Sequence, residues 1–285
     1  MTAAIEQWQR AQDAAFGTRG PRVDTPAGAE RFLERAGIVL RYNASPGLPL
    51  PSLQRVFAGD DPDPPAATRA IELTNHLLGT RTGIEVHVIA GRVGVAHRRI
   101  MPALYALVRR GRALDAVEGL SLQARTALAL LRQRKAVSAG DVRQRLSLRP
   151  DPRHDPAYAA LGELMRVLLV DRGPFEIPKT GIAYLPKAGY PYHLFHEAHA
   201  DLVAASKNLS IESATDAFLS AYLAAAAFGR APKLATMFRL FLSRTEIDLS
   251  LERLVERRCL KVETVGSAAY HVWTGAGRVP PRSHR

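Results

Sequence analysis

Between Tyr192 and Asp201 the chain reads YHLFHEAHAD, placing three histidines, a glutamate and an aspartate within ten residues. These are the side chains that ligate zinc or carry protons, so their spacing matters. A zincin helix needs H-E-x-x-H, because residues four apart point the same way and can share one metal. Here His196-Glu197 is followed by His199, and Ala200 stands where the second ligand belongs. His193, His196 and His199 are three apart, so on a helix their directions drift by roughly a sixth of a turn per step. A weak two-ligand site is the remaining metal reading, and a catalytic three-ligand site is not expected. The segment lies between the second hairpin and the third unit, where a connecting helix over 192–211 is expected, its histidines packing against neighbours or facing phosphates; the spacing predicts no stoichiometric metal.

Other chemistry-bearing patterns are equally incomplete. The chain has no P-loop Gly-Lys-Ser/Thr, and GRVGVAH has a β-turn's glycines rather than a dinucleotide loop's spacing. Ser, His and Asp occur without a nucleophile elbow. Asp60-Asp61 falls in a proline-rich turn. Cys259 is the single cysteine, which excludes an intramolecular disulfide and a cysteine-based zinc finger. No catalytic residue is assigned, and no small-molecule cofactor is expected.

Charge is more informative. Among 285 residues, 39 Lys+Arg face 27 Asp+Glu, for a formal net charge of +12. Between Arg81 and Arg149 there are 14 basic and four acidic residues, a local net of +10, so the rest of the chain carries only +2. A concentrated positive charge suits a polyanion, either nucleic acid or an anionic membrane surface. The preference for Arg over Lys, with abundant Ala, Gly and Pro, suggests a GC-rich bacterial genome, which supplies arginine without a functional cause. The start, MTAAIEQWQRAQDAAFG, lacks a signal peptide's apolar run, and AFLSAYLAAAAFG is too short to span a bilayer. A soluble, cytoplasmic protein with no membrane partner is expected.

The elements must then place the arginines. The clearest is a β-hairpin in GIEVHVIAGRVGVAH, with Ile84, Val86 and Val88 on one strand face and Val93 and Val95 on one face of the next, around an Ala-Gly turn. Before it, AGAERFLERAG, SLQRVFAG (capped by Ser52, stopped by Gly59) and AATRAIELTNHLLG read as helices, and IVLRY as a short strand. IMPALYALVRRGR follows as a helix. Next come SLQARTALALLRQRK, SAGDVRQRLS and DPAYAALGELMRVLLV, the last capped by Asp155 with Pro156 at its first position. LLVDRG and GIAYLP then read as strands. The same order returns in ESATDAFLSAYLAAAAFG, APKLATMFRLFLS and EIDLSLERLVERR, closed by a hairpin from CLKVETV and AAYHVW around Gly266-Ser267.

Three helices closed by a hairpin is the winged-helix arrangement. The expected fold is mainly α with small β-hairpins, in three tandem winged-helix units. The division is 1–26 as N-terminal helix and linker, 27–118 as the first unit, 119–191 as the second, 192–211 as the connecting helix, 212–274 as the third unit and 275–285 as a disordered tail.

Three such units in one bacterial chain resemble the crosslink-repair DNA glycosylase family over roughly residues 27–274. The resemblance rests on the order of elements, the hairpins, and the early segment ERAGIVLRYNASPGLPLPSLQRVFAG. It implies a Gln-x-Gln motif, which positions the hydrolytic water, on the strand after the first core helix. Arg41, Tyr42 and Asn43 stand there instead. The Gln7-Trp8-Gln9 run lies before the matching core helix rather than after it. The departure speaks against glycosylase activity and leaves a DNA-binding architecture.

The third helices begin with DPAYAALGEL and TEIDLSLERL, too acidic or apolar to read bases. The expected contacts with double-stranded DNA are therefore phosphate contacts, from Arg98 and Arg99 after the first hairpin, Arg109, Arg110 and Arg112 at a helix end, and Arg143, Arg145 and Arg149 on or after a short helix. For Arg109–Arg112 a solvated helix C-terminus, where cations complement the dipole, is an equal reading. The expected function is DNA binding without strong sequence readout, in repair or nucleoid-associated regulation. The alternatives are an active glycosylase on alkylated or crosslinked bases and a protein-binding scaffold.

Overall fold

A computed structural model describes residues 3–18, 20–43, 48–113, 116–149, 154–174 and 189–275. The chain opens with helix α1 (Ala3–Phe16), whose apolar side presents Trp8, Gln12 and Phe16 to the interior. It then runs α2 (Pro26–Ala36), β1 (Ile38–Leu40), α3 (Leu53–Ala58), α4 (Pro64–Gly79), β2 (Gly83–Ile89) and β3 (Arg92–His97). Local chemistry sets these limits. Thr25, Ser52 and Asp63 each accept a backbone N–H at a helix start, and Gly37 and Gly59 stop α2 and α3 at positive φ. The β2–β3 turn places Ala90 and Gly91 both at positive φ, as a two-residue turn matching strand twist requires. β1 pairs with β3 rather than with β2, so the predicted hairpin sits in a three-stranded antiparallel sheet ordered β1-β3-β2.

A 3-10 turn at Arg98–Ile100 leads into α5 (Met101–Val108). The middle region contains α6 (Leu122–Gln133), α7 (Ala139–Leu146), α8 (Pro156–Arg166), β4 (Val170–Arg172) and β5 (Tyr192–Leu194). A bridge from Val137 to Tyr192 adds a rudimentary third strand beside β5, which pairs with β4. Two short helices, α9 (Phe195–Ala198) and α10 (Ala200–Ser206), lead to α11 (Ile211–Ala226), β6 (Phe228–Gly229), α12 (Ala231–Phe238), α13 (Arg244–Glu256), β7 (Leu260–Val265) and β8 (Ala268–Trp273). The last sheet is ordered β6-β8-β7.

The predicted class, mainly helical with small antiparallel sheets, describes this architecture. The segment from Tyr192 differs from the expected single helix. Tyr192 and Leu194 are buried and pair with β4, so the chain starts as strand, and helix begins only at Phe195 and breaks again at His199. The partner of β4 is β5; the strand predicted in GIAYLP, residues 181–186, lies outside the described residues, as does the tail after Gly275. Each of the three regions follows helix–strand–helix–helix–strand–strand, with its first extended segment paired to its last strand in the first and third regions and to β5 through Val137 in the second.

Burial divides differently from the chain order. Ile38, Ile84, Val86 and Val88 of the first sheet share one core with Leu104 of α5, Phe218 and Tyr222 of α11, and Phe238 and Leu251 behind them. The middle region has a core of its own, including Leu128, Leu131, Leu161, Leu164 and Tyr192. Phe16, Phe32, Phe57 and Leu73 make a third beneath α2, α3 and α4. α1 clamps the first and last regions together. Trp8 lies 5.3 Å from Phe228 and 5.4 Å from Tyr270 (ring centroids), and Gln12 Nε2 donates to both Pro49 O and Ala225 O. Gln7-Trp8-Gln9 thus belongs to a packing helix whose tryptophan is buried.

Candidate nucleic-acid interface

The alternation of β2 gives it two different faces. Ile84, Val86 and Val88 enter the shared core, while Glu85 and His87 turn toward the middle region. Glu85 is 1% exposed and accepts from Arg41 Nη1, at the end of β1, and from Arg172 Nη2 of β4, both through Oε2. Its Oε1 lies 3.3 Å from His87 Nε2. Arg41 also donates to the Tyr190 hydroxyl at 3.1 Å, and the Arg172 guanidinium stands 4.2 Å from the Tyr190 ring centroid. α8 can approach because Gly162 faces His87. Burial alone would lower the Arg41 pKa, but Glu85 and Tyr190 raise it above its ordinary value, so the guanidinium stays charged. The first and middle regions are therefore joined by a buried ionic seam. With Glu85 closed to solvent and both its oxygens engaged, it is placed to hold arginines rather than to accept a substrate proton.

The histidines of the 192–201 segment do not converge. His193 Nδ1 lies 2.9 Å from Lys135 O. His199 is 2% exposed, with Nε2 at 2.8 Å from Asp171 Oδ2 and its ring 4.8 Å from that of Phe195. His196 is half-buried and Glu197 exposed. No group of three or more potential ligands gathers among the described residues.

The eight predicted arginines fall in three places. Arg98 and Arg99 are exposed at the start of α5, with Arg98 Nη2 at 2.6 Å from Asp201 Oδ2. Their neighbour His97 accepts the Arg99 N–H through Nδ1; burial, then Arg99 and Arg98, push its pKa down to about 4, so the ring is neutral at pH 7. Arg110 and Arg112 are exposed just past the far end of α5, whose eight residues span about 12 Å. Arg110 donates to Glu246 and, at 3.2 Å, to Phe241 O. Although burial raises the Glu246 carboxyl pKa, Arg110 and the Ser243 cap hold it below the usual range. Arg109 is turned inward, 6% exposed, donating to Ala113 O and Val167 O, and ties α5 to the middle region. Arg143 is half-buried and paired with Asp155. Arg145 and Arg149 are exposed, and Arg145 borders an open groove of about 430 Å³ between α6 and α7.

Sequence reasoning missed the seam. Its signals were two titratable residues, Glu85 and His87, inside an apolar strand, and Asp171-Arg172 directly after the run LLV. Their pairing joins segments 44 and 87 residues apart, which no local pattern displays.

No protein-family model and no curated protein matches the chain. Among solved structures it is similar to the Streptomyces sahachiroi DNA glycosylase AlkZ, with a TM-score of 0.56 at 12% identity, over 96% of this chain and 71% of that one. At that identity the likeness is one of fold, and this chain has a glycosylase-like architecture along nearly its whole length.

Proposed function

We propose that this chain is a double-stranded DNA-binding protein, its three helix–strand–helix–helix–strand–strand regions acting as tandem winged-helix units that grip phosphates rather than read bases. The observation that carries the reading is the fold likeness to a DNA glycosylase over 96% of the chain. The concentration of +10 between Arg81 and Arg149 supports it. Arg98, Arg99, Arg110, Arg112, Arg145 and Arg149, all exposed, are the phosphate contacts in this reading, with Arg143 behind them and Arg109 a strut. No helix among the described residues is long and apolar enough to cross a membrane. A cytoplasmic, nucleoid-associated place and a role in DNA repair or nucleoid regulation follow from the same reading.

The test is a fluorescence-anisotropy titration of labelled duplexes at several salt concentrations. Affinity should fall with salt at a slope of about −0.9 per phosphate contacted. Replacing Arg98 and Arg99 by Ala should weaken every duplex by a similar factor and make the slope shallower by roughly two. Replacing Lys233 and Arg239 should do less. An unchanged affinity in the first pair with a clear loss from the second would refute the surface, and a sequence-dependent loss would mean that these arginines read bases.

An active glycosylase is the second reading, favoured by the same fold likeness. Such an enzyme must expose the base and position water at the sugar. Glu85 does not fit that task, and Arg41-Tyr42-Asn43 replace the glutamines that the resemblance implies. Incubation with alkylated or crosslinked duplex, followed by assay for abasic sites, separates the readings. Enzyme-dependent abasic sites, lost on substitution of a named residue, would establish the enzyme. Binding neither intact nor damaged DNA would leave a protein-binding scaffold.

A further inference from the structure

We propose that Tyr42 is a stacking platform for an unpaired nucleobase, with the amide of the next residue, Asn43, as a hydrogen-bond donor to that base's edge; this rests on the DNA-binding reading above. Tyr42 is 53% exposed and is the one aromatic among the large apolar side chains left open in the described residues. It stands at the end of a column of alternating rings and guanidiniums. The Arg41 guanidinium is 5.4 Å from the Tyr42 ring centroid and 5.4 Å from that of Tyr190, and Arg172 lies 4.2 Å beyond Tyr190. Glu85 anchors both cations at the buried end.

The backbone is fixed as well, since the Arg41 N–H donates to Val93 O at 3.0 Å and its C=O accepts from the Gln54 N–H at 3.1 Å. An aromatic side chain held open beside a rigid support retains unused stacking surface. The column's two guanidiniums and one carboxylate leave a net positive charge that attracts a phosphodiester.

Asn43 has a set orientation. Ser52 Oγ accepts the Arg55 N–H as a helix cap, so its single proton goes to Asn43 Oδ1, 2.9 Å away. The Asn43 NH₂ group then has no protein partner among the described residues, and it belongs to the residue that directly follows Tyr42. In an intact duplex each base face is covered by its neighbours, so one open ring can stack only on a base that has left the helix or belongs to a single strand.

The test uses the full chain, a short labelled single strand and a perfect duplex of the same sequence. Tyr42→Ala should bind the single strand about tenfold more weakly, the usual scale for one lost base–aromatic stack, and the duplex within about twofold of the parent. Tyr42→Phe should keep the parent's affinity for both. In Tyr42→Trp, added single strand should quench the new indole's fluorescence while duplex leaves it unchanged. Equal losses on both DNAs in Tyr42→Ala, or no loss on either, would overturn the platform and leave the DNA-binding reading standing. A parent protein that binds neither DNA would remove the DNA-binding reading itself.

Discussion

Replacing Glu85 by Gln removes one charge from the most enclosed ionic cluster described here and leaves the volume almost unchanged. The consequence follows from its partners. Arg41 is 6% and Arg172 9% exposed, and Glu85 Oε2 accepts from both. In the variant two buried guanidiniums face a neutral amide. Removing one member of a buried ion pair typically costs about 3–5 kcal/mol, because the remaining charge stays desolvated. Against a typical domain stability of roughly 5–15 kcal/mol, that is a large fraction. Urea unfolding followed by far-UV circular dichroism reads it directly. The loss should persist at high salt, because ions do not screen a pair they cannot reach. Arg98→Ala, which breaks the exposed pair with Asp201, should change stability by no more than about 1 kcal/mol. Replacing Arg41, Glu85 and Arg172 together by apolar residues of similar size should cost far less than Glu85→Gln alone. A Glu85→Gln loss below about 1 kcal/mol that fades with salt would show that the cluster behaves as a solvated surface pair, and the seam would have to be discarded.

Three further outcomes are expected. His97 has a folded pKa of about 4 against 6.5 in an unfolded chain, so the unfolded state takes the proton first as pH falls. Its contribution is intact above pH 6.5 and declines by about 1.4 kcal/mol per unit toward pH 4; His97→Asn should flatten that part of the stability–pH curve, and an unchanged curve would contradict the assignment. Ser243 and Glu246 form a reciprocal cap on α13, so Ser243→Ala should lower stability by about 1 kcal/mol in chemical denaturation, with a neutral result counting against the cap. Elemental analysis of untagged protein should find well under one zinc per chain, since His193 and His199 are committed to Lys135 O and Asp171; a full equivalent would contradict this.

Most helices were legible because their limits are chemical and local. Ser52 and Asp155 cap helix starts and Gly37 and Gly59 end helices, as read, whereas α4 and α13 begin two residues earlier than expected, under caps from Asp63 and Ser243. The β2–β3 and β7–β8 hairpins were legible from period-two alternation around positive-φ turns. What escaped was short or distant. β6 spans two residues and Val137 contributes a single bridge, lengths too small to leave a periodicity. Tyr192–Leu194 was read as helix because the segment lies between two units, where a connecting helix is expected, yet burial of Tyr192 and Leu194 against β4 decides for strand. Of the arginines, charge density identified the region, but which guanidiniums turn inward depends on tertiary contacts. Arg109 and Arg112 are near neighbours in sequence with opposite fates, one buried and one exposed.

The division of the apolar interior also sets an order of events during synthesis. The middle region closes its own core once Tyr192 and Leu194 have been made, for its partners all precede them. The first region leaves the ribosome earlier, yet the core that Ile38, Ile84 and Val86 share with Leu104 stays incomplete until Phe218, Tyr222 and Leu251 arrive from the far end of the chain. The part made first is thus among the last to be completed, and the unfinished side of its core is the surface that a nascent-chain chaperone would meet longest. A ribosome stalled before α11 would present a finished middle attached to an unfinished beginning.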